Sequence, residues 1–277
     1  MSQVVLINGD ELSRVSVFSR NMQFGDGLFE TCVGSESKIL FWAMHLKRLS
    51  YGCEKLKIKK IAEQIWLSDI KKAVNLSSHK NYVVKLILSR GESLRGYGYK
   101  GDIEPVRIII VSELKKQIVN KSFSLEYLNS GYHSNPQLAG IKHCNRLEQV
   151  LARASLSSDE GIMLDENENV ISVTQGNIYF IFGDKLLTPI LDRCGVMGSR
   201  RSLILELARS LKIVALESDI SIDYARQADE VFISNSIIGI QPVHSIESHK
   251  LGKNPLSEKI QKAFLSKTKE ISSWTCP

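Results

Sequence analysis

Cysteine is sparse and scattered in this 277-residue chain. Its thiols, Cys32, Cys53, Cys144, Cys194 and Cys276, are odd in number, far apart and never arranged as CxxC or grouped with histidine. That pattern argues against a disulfide framework and against a structural zinc. The six histidines lack ligand spacing, so no metal is expected. Long apolar runs are also missing. Val83–Leu88 and Val106–Val111 are too short and too interrupted by charge to span a bilayer, and Met1–Gly9 lacks a basic segment followed by an apolar core, so no membrane is expected and the expected address is the cytoplasm. Internal repeats and low-complexity tracts are absent. So are the G-x-S-x-G elbow, the phosphate loop, the G-x-G-x-x-G turn after a strand and the H-E-x-x-H helix.

What is present is an ordinary globular composition, 43% hydrophobic and 24% charged, long enough for one large or two medium domains. Lys+Arg 36 against Asp+Glu 30 gives a formal charge of +6 and a pI near 9.0. A positive balance suits nucleic acid or small anions. The basic residues are dispersed and few aromatics lie among them, so no stacking platform is visible and no nucleic acid is expected.

Along the chain, Val4–Ile7 with the turn Asn8-Gly9-Asp10 predicts a strand entering a hairpin. Leu28–Val33 and Ile39–Trp42, parted by Gly34-Ser35-Glu36-Ser37, predict another. Apolar spacing predicts helices over His45–Leu56 and over Ile61–Val74, the second with Ile61, Ile65, Trp66, Ile70 and Val74 on one buried face. The β-branched runs after Tyr82 and from Val106 predict two strands joined by a glycine- and arginine-bearing loop, Ser89–Asp102. A polar stretch broken by Asn135-Pro136 marks the boundary, giving an N-terminal α/β domain at 1–114, a connection at 115–140 and a second domain at 141–277. The second block reads as a helix near 145–157, strands near 161–164, 177–182, 185–187, 230–234 and 239–244, a helix over 199–211 with Ser199 as N-cap, and a terminal helix from about Ser257. The class is mixed α/β with largely antiparallel strands, because most strand-to-strand connections are too short for parallel crossovers.

Lys142 stands out chemically. It follows the small and apolar Leu138-Ala139-Gly140-Ile141 and precedes a helix, and apolar surroundings favour the neutral amine that imine chemistry requires. Spacing alone favours a plain surface lysine, since lysine is seldom buried.

Four stretches carry a resemblance: Gln23-Phe24-Gly25-Asp26-Gly27-Leu28-Phe29-Glu30-Thr31; His45-Leu46-Lys47-Arg48-Leu49; Ser89-Arg90-Gly91 through Arg95-Gly96-Tyr97; and Asn135-Pro136 through Gly140-Ile141-Lys142-His143-Cys144-Asn145-Arg146-Leu147-Glu148-Gln149. In this order they resemble the fold-type IV pyridoxal-phosphate enzymes, the group of branched-chain and D-amino-acid aminotransferases, and within it the 4-amino-4-deoxychorismate lyases. The resemblance implies a two-domain homodimer that binds pyridoxal 5′-phosphate and converts 4-amino-4-deoxychorismate to 4-aminobenzoate and pyruvate for folate synthesis. An aminotransferase of the same fold, or a catalytically weak homologue, is the alternative.

Carried over residue by residue, Lys142 matches the lysine that joins the cofactor and moves protons. Arg48 matches the arginine on the cofactor phosphate, where a guanidinium suits a dianion. Gly198-Ser199-Arg200 matches the helix start whose amides receive the same phosphate, and Ser236 the hydroxyl that completes the cup. Arg95 and Tyr97, with Phe29 of the first stretch, match positions facing the substrate, which carries two carboxylates; Arg90 is the weaker candidate. One position departs. Counting back from Asn177, Ser172 stands where the family places a glutamate against the pyridine nitrogen, and a neutral hydroxyl cannot favour the protonated ring as a carboxylate does.

Overall fold

Alternation of inward and outward side chains builds the first sheet. The computed structural model describes residues 3–99, 101, 103–115, 122–129, 131–253 and 255–277. Asp102, at the end of the glycine-bearing loop, and residues 116–121 and 130 of the expected connection lie outside the described residues. Contacts group the chain into one unit of Met1–Lys116, Ile141–Asn145 and Glu270–Pro277, and another of Gln117–Gly140 and Arg146–Lys269.

The first unit contains β1 (Val4–Ile7), β2 (Asp10–Glu11), α1 (Arg20–Phe24), β3 (Gly27–Ser35), β4 (Lys38–Leu40), α2 (Trp42–Leu56), α3 (Glu63–Leu76), β5 (Asn81–Ser89) and β6 (Val106–Glu113). Its sheet is antiparallel throughout, in the order Trp274–Thr275, β4, β3, β5, β6, β1, β2. The first hairpin forms as expected: Ile7 faces Asp10, and Asn8 and Gly9 take φ of 52° and 91°, both positive as a tight two-residue turn demands. Leu6, Leu28, Cys32, Val84, Leu86, Leu88, Ile109 and Val111 are buried on one face. Helix α2 packs over β3 on this unit, and α3 over β1 and β6.

The second unit opens with β7 (Phe123–Tyr127), α4 (Leu147–Ala154), β8 (Glu160–Leu164), β9 (Val170–Val173), β10 (Asn177–Phe182) and β11 (Lys185–Pro189). It continues with α5 (Arg201–Ser210), β12 (Val214–Ser218), α6 (Ile222–Ala225), β13 (Glu230–Asn235), β14 (Gly239–Ile246), β15 (His249–Lys250) and α7 (Pro255–Lys269). The sheet order is β12-β11-β10-β13-β14-β7-β8-β9, with β15 on β14. Among the described residues three strand pairings are parallel, β11 with β12, β14 with β7 and β7 with β8; α5 is the crossover of the first. Because β9 also packs against β10 and β11, the sheet curls around Leu125, Ile162, Val173, Ile178, Phe180, Val231, Ile233 and Val243. Both faces of β10 are buried, since Tyr179 turns the other way and stacks on Phe232 at 4.5 Å. A strand covered on both faces reads as a continuous apolar run, as this one does.

Several expectations need correction. The strand expected to reach Trp42 stops at Leu40, because Phe41 takes φ 53° and turns the chain into α2. Helix α3 starts at Glu63 and buries Trp66, Asp69, Ile70 and Ala73, leaving Ile65 42% exposed; the apolar residues outside that stripe do not define its core face. Helix α5 begins at Arg201 with Arg200 as N-cap and no side-chain cap, so Ser199 is not the capping residue. The expected connection at 115–140 contains β7, a strand held between β14 and β8. The division at residue 141 shifts too, since Ile141–Asn145 and Glu270–Pro277 group with the first unit.

Candidate active site

Backbone pairing decides where Lys142 sits. Phe29 N donates to Lys142 O at 2.9 Å, Cys144 N donates to Gly27 O at 2.9 Å, and Leu28 bridges His143 in antiparallel sense. Residues 142–144 therefore extend the edge of β3, with Lys142 opposite Phe29 and its side chain on the same face. The Lys142 Nζ lies 4.3 Å from the centroid of the Phe29 ring. A cation over an aromatic face is attracted by the ring's negative quadrupole, by about 0.5–1 kcal/mol where exposed and more when desolvated. Asn145 then closes the segment, its Nδ2 donating to Gly25 O at 3.1 Å. Gly25 ends α1 at φ 64°, and a Cβ there would fall 2.4 Å from Asn145 Oδ1, so only glycine fits. Two of the motif stretches are thus interlocked.

Helix α2, packed on the opposite face of β3, carries Arg48. Glu30 is fully buried there, between Leu28 and Cys32. Arg48 donates Nε to Glu30 Oε1 at 2.7 Å and Nη2 to Oε2 at 2.6 Å, and His45 Nδ1 stands 2.6 Å from Oε2. Residues 45 and 48 are one helical turn apart, so both reach down from α2 to one carboxylate. Burial alone would raise the Glu30 carboxyl, but the Arg48 charge and the hydrogen bonds from Arg48 and His45 outweigh it and bring it down to about 2.

The glycine-bearing loop is organised by two arginines that motif reading passed over or ranked low. Arg20, 3% exposed, donates to Asp26 at 2.8 Å, Ser93 Oγ at 2.8 Å, Gly96 O at 3.3 Å and Tyr97 O at 2.7 Å. Arg90 grips Asp26 through Nε and Nη2 and donates to Leu56 O and Lys57 O, closing the last turn of α2. These contacts tie Asp26 to the end of α2. Burial pushes the Asp26 carboxyl up, yet hydrogen bonds and charge from Arg90 and Arg20 hold it below the usual carboxylate range. Arg95 and Tyr97 project from this loop, exposed, Tyr97 to 84%.

In the second unit, Asn177 joins two turns. Its Nδ2 donates to Val196 O at 3.0 Å, and Gly198 approaches so closely that a Cβ would fall 1.9 Å from Asn177 Oδ1. This fixes residues 196–200 at the start of β10, with Ser199 and the fully buried Arg200 leading into α5. Asn177 also pairs with Ser234 of β13. At the end of β13, Asn235 Oδ1 accepts the amides of Ile237 and Ile238 at 2.8 Å each, a turn that holds half-buried Ser236. Ser199, Arg200 and Ser236 thus belong to turns anchored on neighbouring strands. Ser172, 3% exposed on β9, donates Oγ to Val173 O at 2.8 Å and lies 3.0 Å from Tyr132 Oη. With the serine proton committed to the carbonyl, Tyr132 is the donor of that pair. Burial raises the Tyr132 hydroxyl, so it stays protonated and available to donate.

Arg20, Glu30, His45 and Tyr132 were not singled out from the sequence, and Asn177 served there only to set the register of Ser172. Glu30 did leave a signal, a carboxylate in phase with Leu28 and Cys32 on the inward register of a strand. Tyr132 left none, being far from Ser172 in sequence.

The family model described as amino-transferase class IV matches residues 27–246. The aminodeoxychorismate lyase of Vibrio harveyi is 30% identical over 258 residues, covering 87% of this chain and 91% of that protein. A crystal structure of 4-amino-4-deoxychorismate lyase from Pseudomonas aeruginosa is similar with a TM-score of 0.90 and 33% identity, over 95% of this chain and 98% of that one. The branched-chain aminotransferase of the archaeon Thermoproteus uzoniensis, solved with norvaline, shares the fold with a TM-score of 0.86 at 19% identity, over 98% of each chain. A further branched-chain amino acid aminotransferase of the same fold, again at a TM-score of 0.86 and 19% identity, is complexed with N-(5′-phosphopyridoxyl)-L-glutamate.

Proposed function

The chain belongs to the amino-transferase class IV family, and from that membership we propose that it is a pyridoxal-phosphate-dependent lyase splitting 4-amino-4-deoxychorismate into 4-aminobenzoate and pyruvate. The observation that carries the reading is the lysine: Lys142 is pinned by backbone pairing to β3 with its amine over Phe29. The choice of lyase is supported by the 30% and 33% identities to lyases over nearly the whole chain.

The residues present fit the cofactor. An amine on a fixed backbone, a guanidinium held in one plane, and a helix start without a side-chain cap and with no room for a Cβ at Gly198 are the donors that a phosphorylated aldehyde requires. Arg48, Ser199, Arg200 and Ser236 are the proposed holders of its phosphate, and Ser172 the proposed neighbour of its ring nitrogen. When bound, the cofactor supplies an electron-withdrawing ring that relieves the charge left by deprotonation beside the substrate amine. Lys142 Nζ takes the proton from the amine-bearing carbon. The carbon–oxygen bond to the enolpyruvyl group then breaks, its electron pair leaves with the oxygen, and protonation releases pyruvate while the ring becomes aromatic. Arg95 meets a substrate carboxylate, with Tyr97 and Phe29 beside it.

Ser172 supports lyase over transfer. Its hydroxyl brings no negative charge to the ring nitrogen, which weakens electron withdrawal, and aromatisation supplies a driving force that amine transfer lacks. The working form is proposed to be a homodimer in the cytoplasm. Leu147, Val150 and Leu151 lie on one side of α4 at 57% exposure or more, an apolar face that a second copy would cover. Among the described residues no helix is long and apolar enough to cross a membrane.

Purified protein supplied with pyridoxal 5′-phosphate should release pyruvate and 4-aminobenzoate in equal amounts, and Lys142→Ala should reduce the rate at least about a thousandfold, as loss of a covalent and proton-transferring group does. Amine transfer from D-alanine or a branched-chain amino acid to a keto acid, without pyruvate release from the lyase substrate, would replace this reading with an aminotransferase.

A further inference from the structure

Glu30 is out of place by every packing criterion. It lies on the core face of β3, fully buried, where an apolar side chain would satisfy the fold. A buried ion pair is often no more stabilising than well-packed apolar residues of the same volume, because desolvating both charges costs several kcal/mol. Its geometry is that of a fork. Both carboxylate oxygens are engaged by Arg48, at 2.7 and 2.6 Å, and the second oxygen also meets His45 Nδ1 at 2.6 Å.

We propose that Glu30 is a positioning residue that, braced by His45, locks the Arg48 guanidinium in the plane needed to receive a phosphate group. The inference rests on reading Arg48 as a phosphate ligand. Two parallel hydrogen bonds along the Nε/Nη2 edge stop rotation of the guanidinium, and His45 stops the carboxylate from turning with it. An arginine side chain otherwise carries roughly 2 kcal/mol of rotamer freedom, lost when it meets an anion. Here that freedom is already gone before the anion arrives, which is how preorganisation raises affinity. The carboxylate has an opposing effect, since its negative charge offsets part of the Arg48 field. The proposal states that fixed direction outweighs the lost field, and the two terms predict opposite signs for removal of the charge.

The test compares phosphorylated with unphosphorylated ligand. Cofactor-stripped protein is titrated with pyridoxal 5′-phosphate and, separately, with pyridoxal, following the absorbance of the bound chromophore; the Kd for pyridoxal divided by the Kd for pyridoxal 5′-phosphate reports the grip on phosphate alone. Glu30→Gln should reduce that ratio about tenfold, the scale of one charge-assisted hydrogen bond, with the Kd for pyridoxal within about twofold of the parent. A merely structural role would weaken both ligands together. Glu30→Asp keeps the charge but is too short for the fork; it should also lower the ratio, and it carries the test if Glu30→Gln does not fold by circular dichroism. A ratio unchanged or raised in either folded variant, or loss of both ligands alike, overturns the proposal. Arg48→Lys separates the two readings. If it collapses the ratio while the Glu30 variants do not, only the positioning role fails; if it too leaves the ratio unchanged, Arg48 is not the phosphate ligand and both fall.

Discussion

Burial and arginine pull the carboxyls of Glu30 and Asp26 in opposite directions, and in both cases the arginines prevail. A carboxyl with a folded pKa below its unfolded value contributes stability that is present above the unfolded pKa and lost as pH falls through the folded one. For Glu30 the window runs from the ordinary 4.5 down to about 2, a linkage of roughly 3 kcal/mol at neutral pH. Urea denaturation at a series of pH values should therefore show the parent losing stability from about pH 5 downward, and the gap between parent and Glu30→Gln narrowing over the same range. A gap that stays constant from pH 6 to pH 3 would mean that Glu30 is not ionised as described. At this scale Lys142, Arg48 and Arg95 were legible as members of motifs. Glu30 was legible only as an exception to strand alternation, and Tyr132 became visible only when folding brought it to Ser172.

At the scale of elements, the loop between β5 and β6 depends on α1, a five-residue helix that no periodicity in the sequence announced. A single amphipathic turn is too short to produce a repeating pattern. Arg20 on that helix donates to Ser93 and to the carbonyls of Gly96 and Tyr97, so it sets the backbone from which Arg95 and Tyr97 project. Arg20→Ala should release residues 93–97, seen as faster amide hydrogen exchange confined to that segment, and should raise KM about tenfold with little change in kcat. Exchange that accelerates across β3 and β5 as well would instead identify Arg20 as a general support of the sheet. The long strands and α2 were readable because their apolar spacing persists over many residues. The cap of α5 was not, since Ser199 satisfies the local rule for an N-cap while Asn177, from β10, governs the turn that contains it.

Across the whole molecule, the division into units departs from the order of the chain. Residues 141–145 and 270–277 return to the first unit, one by pairing with β3 and the other by pairing with β4. The exposed apolar face of α4 bears on assembly. Sedimentation of the parent should give a dimer at micromolar concentration, and Leu147→Lys with Leu151→Lys should shift it toward monomer, because charge at an apolar contact is costly to desolvate. A parent that sediments as a monomer would remove the dimer, and a dimer untouched by both changes would move the interface elsewhere.

The sequence by itself determined the mixed α/β class, the principal strands and helices, the lysine and the family resemblance, because hydrophobic period and contiguous motifs are local properties of the chain. Only the tertiary structure decided that residues 142–144 extend β3, that Arg48 is clamped by a buried carboxylate, and that Ser172 is matched with Tyr132. Each of these depends on partners far apart in sequence, brought together by sheet register and burial, and no local pattern encodes such pairings.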